Sequence, residues 1–199
     1  MKKIKIQVNF KIPEIVTRII NKYYPTDSIV YRYYFTHCVK VTELALKIAD
    51  HNRQLDINKD FVLKGAMLHD IGIIKTNSPE IGCFGEYPYI AHTYLGRKIL
   101  EDEGLPDIAP VCERHVGTGL TVADIIASGF PLPHYDMTPQ SNEEKLICYA
   151  DKFYSKSQNH LMVLKSPEKI RKKILKYGEE KLQRFEEFVN LFGIDYIYS

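Results

Sequence analysis

The chain has 199 residues, 45% hydrophobic and 26% charged, with a formal net charge of +2 and four cysteines. These values are typical of one ordinary globular domain, and so small a net charge gives no strong signal for nucleic-acid binding. The cysteines lack a CxxC spacing, which favours a reduced, cytoplasmic protein. The sequence has no signal-peptide core and no uncharged apolar run near ~20 residues, which predicts that the protein does not bind membranes.

The predicted elements begin with a strand and continue as helices. Residues 4–12 alternate between polar and apolar side chains, as strands do. Apolar residues then recur at helical spacing, Pro25 ends the first helix, and Asp27 or Ser28 can cap the second. Helices are predicted over residues 12–24, 29–51, 58–70, 89–103, 106–116, 121–128, 141–156 and 167–191. The fold class is therefore all-α, a compact helical bundle with a short N-terminal strand.

Glycine and proline mark the predicted breaks between these elements. Gly72 is placed to end the third helix in a left-handed cap, and Gly178 to split the last one. Residues 74–88 and 129–140 are irregular loops rich in glycine or proline. The C-terminal GIDYIYS is predicted to be extended, so the two chain ends could pair with each other or, by edge addition, with a second subunit of a homodimer.

Five predicted helices carry a potential metal ligand on their apolar face. Residues three, four and seven apart share one face of a helix, and this spacing puts each of these side chains on a hydrophobic stripe: His37, His69, His92, His115 and Asp151. One such histidine alone is more often an ordinary core residue, and one buried aspartate is usually a cap. Five of them, with Asp70 directly after His69, indicate a divalent-metal site, because a buried carboxylate needs a compensating partner and imidazole and carboxylate suit transition metals.

At these residues the sequence resembles the HD superfamily, and specifically its HDIG branch. The matching segments are FTHCVKVTELALKIA, GAMLHDIG and EEKLICYADKF, and the similarity covers about residues 28–156. The resemblance implies a single HD domain over residues 1–199, with its core at 28–156 and a C-terminal helical extension at 166–193. The stretch that begins with CERHVGTGL is most similar to an uncharacterised HDIG family, so the resemblance implies a fold and a site rather than a substrate.

The resemblance also implies how the ligands are shared. The family pattern places His37, His69, Asp70 and Asp151 on one ion, while Asp70 bridges to a second ion held by two further histidines, His92 and His115. Two divalent ions are expected, iron or manganese before magnesium, cobalt, nickel or zinc. The alternative is a single metal, with those two histidines contacting phosphate.

The implied activity is that of a metal-dependent phosphohydrolase. A metal-bound water attacks a phosphomonoester or phosphodiester, with a nucleotide as the expected small phosphorylated substrate. Asp70 or Asp151 would accept the proton of the water. Lys75 after HDIG, Arg114 and Lys152 are candidates for phosphate contacts, with a solvated charge as the alternative interpretation of each.

Two other functions are compatible with the same ligands. Some HD proteins that have this six-ligand set are mixed-valence diiron oxygenases, which oxygen-dependent turnover would reveal. The other alternative is a regulatory module that binds a metal or nucleotide without catalysis. The intact ligand set argues against that module.

Overall fold

A computed structural model describes residues 7–156 and 160–198 of the chain. Within these residues the fold is all-α, as predicted, with nine α-helices: α1 (Glu14–Tyr23), α2 (Ile29–His51), α3 (Lys59–Leu68), α4 (His92–Asp102), α5 (Pro110–Arg114), α6 (Val122–Ala127), α7 (Asn142–Asp151), α8 (Pro167–Leu175) and α9 (Glu179–Phe192). Two short strands, β1 (Asn77–Ser78) and β2 (Cys83–Phe84), pair in antiparallel orientation. None of the described helices is long and apolar enough to cross a membrane.

Side-chain caps begin α2 and α3 where the sequence places polar residues. Ser28 accepts a hydrogen bond from the backbone N–H of Tyr31 (3.1 Å), and Asn58 accepts one from Phe61 (3.1 Å). Such a cap satisfies one of the backbone donors that the first turn of a helix leaves unpaired. The predicted start of the second helix is therefore confirmed, and α2 has the predicted length.

The hydrophobic core consists of two large clusters. The first combines α1, the first half of α2 and α4 with the segment that follows α3. The second combines the later half of α2 with α7, α8 and α9. Tyr149 and Phe153 pack edge to face in the second cluster, with ring centroids 5.0 Å apart. Aromatic packing of this kind anchors the end of α7. The limits predicted for the domain core and its C-terminal extension stay a prediction.

The chain ends differ from the sequence-based prediction. Residues 7–12 form no strand, and residues 4–6 lie outside the described part of the chain. Three apolar side chains of this segment pack on the first cluster instead: Val8, Phe10 and Ile12. At the other end, Asp195–Ile197 forms a 3-10 turn rather than an extended segment, and Ser199 is not described. Alternation yields a strand only where a neighbouring strand accepts its hydrogen bonds. The homodimer therefore stays a prediction that no described terminal strand supports.

Several helix ends differ from the predicted limits, and two helices differ most. The helix predicted over 106–116 is only α5, and the one predicted over 141–156 ends at Asp151. Gly178 separates α8 from α9 as predicted, and its φ of 127° lies in a region that favours glycine.

Candidate metal centre

The structure brings all six predicted ligands together in the core. They lie within α2, at the start of α4, at the end of α7 and just after the ends of α3 and α5. None is more than 9% exposed: His37, His69, Asp70, His92, His115 and Asp151. Two sets of three could each hold a metal ion, and Asp70 is the member common to both.

One side of the centre is built around the Oδ2 atom of Asp70. The Nε2 atoms of His69 and His37 lie 3.1 Å and 3.4 Å from this oxygen. Asp151 closes the group, with its Oδ1 atom 2.9 Å from Nε2 of His37 and 3.6 Å from Nε2 of His69. Two carboxylates and two imidazoles therefore face one another, which is a donor set suited to a divalent transition metal.

The other side is built around the Oδ1 atom of the same aspartate. The Nε2 atoms of His115 and His92 lie 3.3 Å and 3.5 Å from Asp70 Oδ1, and 3.3 Å from each other. The two oxygens of Asp70 therefore face different pairs of histidines. This is the arrangement required of a carboxylate that bridges two ions.

Backbone carbonyls determine which nitrogen of three histidines carries a hydrogen. The Nδ1 atoms lie 2.8 Å from Ala66 O in His69, 2.6 Å from Tyr89 O in His92 and 2.7 Å from Cys112 O in His115. Since a carbonyl only accepts, each Nδ1 must be the donor, and each Nε2 of a neutral ring presents a lone pair. The carbonyl partner also orients the ring, as in most metal-binding histidines.

The centre thus gathers hydrogen-bond acceptors without donors of suitable geometry. Among the described residues, both Asp70 oxygens and His69 Nε2 make no hydrogen bond of acceptable geometry, although nitrogen atoms lie close to them. Buried polar atoms in native proteins are rarely left in this way. A cation between the converging lone pairs removes the repulsion, so the residues present fit a divalent metal.

Burial favours the neutral, metal-binding form of three of the four imidazoles. Because charging a buried ring is unfavourable, burial lowers the pKa of His37 to about 4 and that of His92 to about 3. Burial lowers the pKa of His115 as well. At His69 burial also lowers the pKa, but the charge of Asp70 outweighs it and raises the pKa well above the usual range. Burial by itself would raise the pKa of Asp70, but His69 and Lys156 outweigh it and hold the pKa well below its usual range. Neutral imidazoles and an ionised carboxylate are the states that coordinate a cation.

Comparison with known proteins agrees with this geometry. The sequence pattern of the HD domain family matches residues 34–155, more than half of the chain, and this segment contains all six ligands. The chain belongs to the HD domain family. A metal-dependent hydrolase is the activity that membership in the HD family supports, whereas the HDIG branch stays a prediction.

Relatives of this HD domain are similar over part of their length. An uncharacterised protein of Methanocaldococcus jannaschii is 34% identical over 118 residues, which are 58% of this chain and 62% of that protein. A tRNA (cytidine(56)-2'-O)-methyltransferase of Picrophilus torridus is 32% identical over 120 residues, 60% of this chain and 30% of that protein. The chain thus matches less than two thirds of either relative. The crystal structure of the HD domain of the L. monocytogenes phosphodiesterase PgpH has a TM-score of 0.49 at 17% identity, over 88% of this chain and 95% of that chain.

Two basic residues predicted to contact phosphate lie away from the centre of this HD domain. Lys75 is exposed and does not line the cavity beside the ligands. Arg114 also lies outside the cavity lining, and its guanidinium donates to both carboxylate oxygens of Glu144 at 2.8 Å and 3.1 Å. Being next to a ligand in the sequence does not bring these two side chains to the centre, because neighbouring residues on a helix or turn point in different directions.

Two other lysines reach the centre. Lys152, already a sequence candidate, donates to His115 O (3.0 Å) and lies 2.8 Å from Asp151 Oδ2. Lys156 has no counterpart among the predicted residues, yet its Nζ lies 2.8 Å from Asp70 Oδ2 and 4.0 Å from Asp151 Oδ1. Lys156 follows the end of α7, where helical periodicity no longer indicates direction. No sequence signal could therefore have identified it.

The turn that carries Asp70 is supported by Tyr24, which lies before the segment that matches the HD family. Tyr24 is fully buried, and its hydroxyl donates to Ile71 O (2.9 Å) and accepts from the N–H of Ile74 (3.1 Å). One side chain thus satisfies both a carbonyl and an amide of the turn after His69. We infer a positioning role for this hydroxyl, because it touches no ligand atom itself.

Replacing Tyr24 by Phe is expected to destabilise the metal-free chain by about 1–3 kcal/mol, since the buried amide and carbonyl lose their partner. Metal affinity should fall as well, because the Asp70 turn loosens. Denaturant unfolding and metal titration measure the two effects. Tyr31→Phe is the matched control, because Tyr31 is half-buried and no described hydrogen bond uses its hydroxyl. Equal behaviour of the two variants would contradict the positioning role.

Proposed function

We propose that this HD domain is a phosphohydrolase that cleaves a phosphomonoester or phosphodiester, with nucleotides as the first candidates. One observation carries the proposal: three acceptor atoms, Asp70 Oδ1 and the Nε2 atoms of His92 and His115, lie within 3.5 Å of one another. They need a cation between them, and paired cations bridged by a carboxylate are a recurrent catalytic device for phosphoryl transfer to water.

Two ions rather than one are proposed, because Asp70 offers each side its own oxygen. Its Oδ2 atom faces His37 and His69, and its Oδ1 atom faces His92 and His115. Iron or manganese are the preferred candidates for imidazole and carboxylate ligands. When bound, such ions polarise a phosphoryl oxygen and acidify a water molecule.

The two aspartates are assigned different roles by their exposure. Asp70 is 0% exposed and does not line the cavity, so it holds the ions. Asp151 lines the cavity and is 9% exposed, so its carboxylate can accept a proton from water. A general base must lie within hydrogen-bond reach of the proton it removes, and only the second aspartate meets this condition from the cavity side.

The cavity beside the ligands suits a phosphorylated small molecule. Its volume is about 600 Å³, within the range of ligand-binding pockets. Lys152 and Lys156 lie in its wall next to the ligands and can donate to phosphate oxygens. Lys152 thus keeps the role that the sequence suggested for it, and Lys156 is proposed in place of Lys75 and Arg114.

A substrate screen tests the proposal. Purified, metal-analysed protein is supplied with manganese, iron, cobalt, nickel or magnesium and assayed against nucleoside monophosphates, dinucleoside polyphosphates and other phosphoesters. We expect metal-dependent release of phosphate or of a nucleotide, with or without oxygen. Turnover that requires oxygen together with a diiron spectroscopic signal would instead indicate an oxygenase, and no turnover with any metal would contradict the proposal.

Replacing His115 by Ala is expected to lower the metal content from about two ions to about one, because the second set loses one of three ligands. Elemental analysis of the purified variant measures this. His134→Ala is the matched control, since His134 is an exposed loop residue outside the cavity. An unchanged metal content would favour the one-metal alternative.

A further inference from the structure

The cavity extends from the metal centre into a region of positive charge near α8 and α9. Five lysines line it: Lys152, Lys156, Lys165, Lys173 and Lys181. Three carboxylates line it as well: Glu80, Asp124 and Asp151. Lysines therefore exceed carboxylates, although the chain as a whole has a net charge of only +2. This local excess points to a ligand with more than one negative group.

Three of the five lysines have a carboxylate partner. Lys152 lies 2.8 Å from Asp151 and Lys156 lies 2.8 Å from Asp70. Lys181 pairs with Asp124. The other two are Lys165 and Lys173. Within the described ranges no carboxylate lies within 4 Å of either Nζ atom.

Lys165 is a partly buried cation whose contacts with the described residues leave a donor free. Its Nζ donates to Lys152 O at 3.0 Å and to Tyr154 O. An ammonium group has three hydrogens, so one is left for another acceptor. Burial, with Lys173 among the neighbouring cations, lowers the pKa of Lys165 to about 8. A partly buried charge without a counter-charge is unfavourable, and an anion in the cavity would supply one.

We infer that Lys165 and Lys173 form a second anion subsite, which binds a phosphate group of the ligand other than the one at the metal centre. The subsite rests on the proposed function, because it shares the cavity of that function. Ile174 and Tyr177 line the same part of the wall and offer apolar contact to an organic scaffold between the two phosphates. Both lysines lie outside residues 34–155, so the subsite is a feature of this chain rather than of the matched family segment.

Two probe pairs with a common scaffold test the subsite: fructose 6-phosphate with fructose 1,6-bisphosphate, and adenosine 5'-monophosphate with adenosine 3',5'-bisphosphate. Dissociation constants come from the rise of the unfolding temperature of the manganese-loaded 199-residue chain, since a ligand that binds only the folded state stabilises it. In at least one pair we expect the second phosphate to tighten binding about tenfold, as a charge-assisted contact would.

The variants identify the lysines responsible for that gain. Lys165→Gln should reduce it to less than about twofold, and Lys173→Gln should reduce it severalfold. Lys173 is exposed, so its variant is expected to fold even where the Lys165 variant does not. Lys172→Gln is the matched control, because Lys172 is an exposed lysine of the same helix outside the cavity lining. It should keep the full gain.

Three results would overturn the subsite. They are equal affinity for both members of each probe pair in the unaltered chain, an equal loss in the Lys172 control, and a Lys165 variant that is merely less stable while keeping the gain. Because only binding is measured, a failure to find hydrolysis would count against the proposed function and leave this result intact.

Discussion

Replacing Asp70 by Asn is expected to remove the two proposed metal ions and to reduce any phosphoester hydrolysis by at least about 10³-fold. The amide has one acceptor oxygen and one donor NH₂ group, so it can serve only one of the two histidine pairs. The change also removes the only charge shared by both sets of ligands. Elemental analysis and the phosphoester assay measure the two effects.

The asparagine variant separates a loss of metal from a loss of folding. Asn has nearly the volume of Asp, but the change removes the carboxylate that lies 2.8 Å from Lys156 Nζ, so denaturant unfolding of the variant is measured beside its metal content. Asp107→Asn is the matched control, because Asp107 is exposed and belongs to neither set of ligands. It should keep full metal content. A folded Asp70→Asn variant that also keeps two ions would contradict the assignment of Asp70 as a metal ligand.

Replacing Gly72 by Ala is expected to destabilise the chain by about 3 kcal/mol and to disrupt the metal centre. A Cβ atom at this position would overlap His92 O and lie 2.5 Å from the backbone nitrogen and 2.9 Å from the Cα of Gly96. These are backbone atoms of α4, so they cannot move aside as a side chain could. The turn after Asp70 would have to separate from the helix that begins with His92.

Gly104→Ala distinguishes this close approach from ordinary glycine strain. Gly104 has a φ of 78°, and a Cβ atom there would meet nothing within 4 Å. Its variant should cost about 1 kcal/mol, the usual penalty for a side chain in the left-handed region. Denaturant unfolding of both variants and their metal contents make the comparison. Equal effects would show that the packing of Gly72 against α4 is unimportant.

The sequence alone predicts buried ligands because the same helical periodicity applies to five predicted helices. A side chain on the hydrophobic stripe of an amphipathic helix faces the core, so His37 and Asp151 can be assigned to the interior without a structure. The order of the helices follows from the same periodicity and from caps such as Ser28. These are local properties of the chain, and local properties are visible in a sequence.

Gly72 shows where sequence-based interpretation fails. Its position after a helix predicts a left-handed cap, but it lies within the 3-10 turn Ile71–Lys75 and is not among the described glycines with positive φ. What requires a glycine is the approach of α4, a helix about 20 residues further along the chain. No local pattern records that contact.

The sequence by itself determined that this chain is a helical bundle with five potential ligands on inward faces and Asp70 next to one of them, since amphipathic periodicity fixes the inward face of each helix. Only the tertiary structure decided that Asp70 offers one oxygen to each pair of histidines, and that Lys156 rather than Lys75 lies beside it. The reason is physical: an inward face fixes a direction within one helix, whereas distances between atoms depend on how separate helices pack.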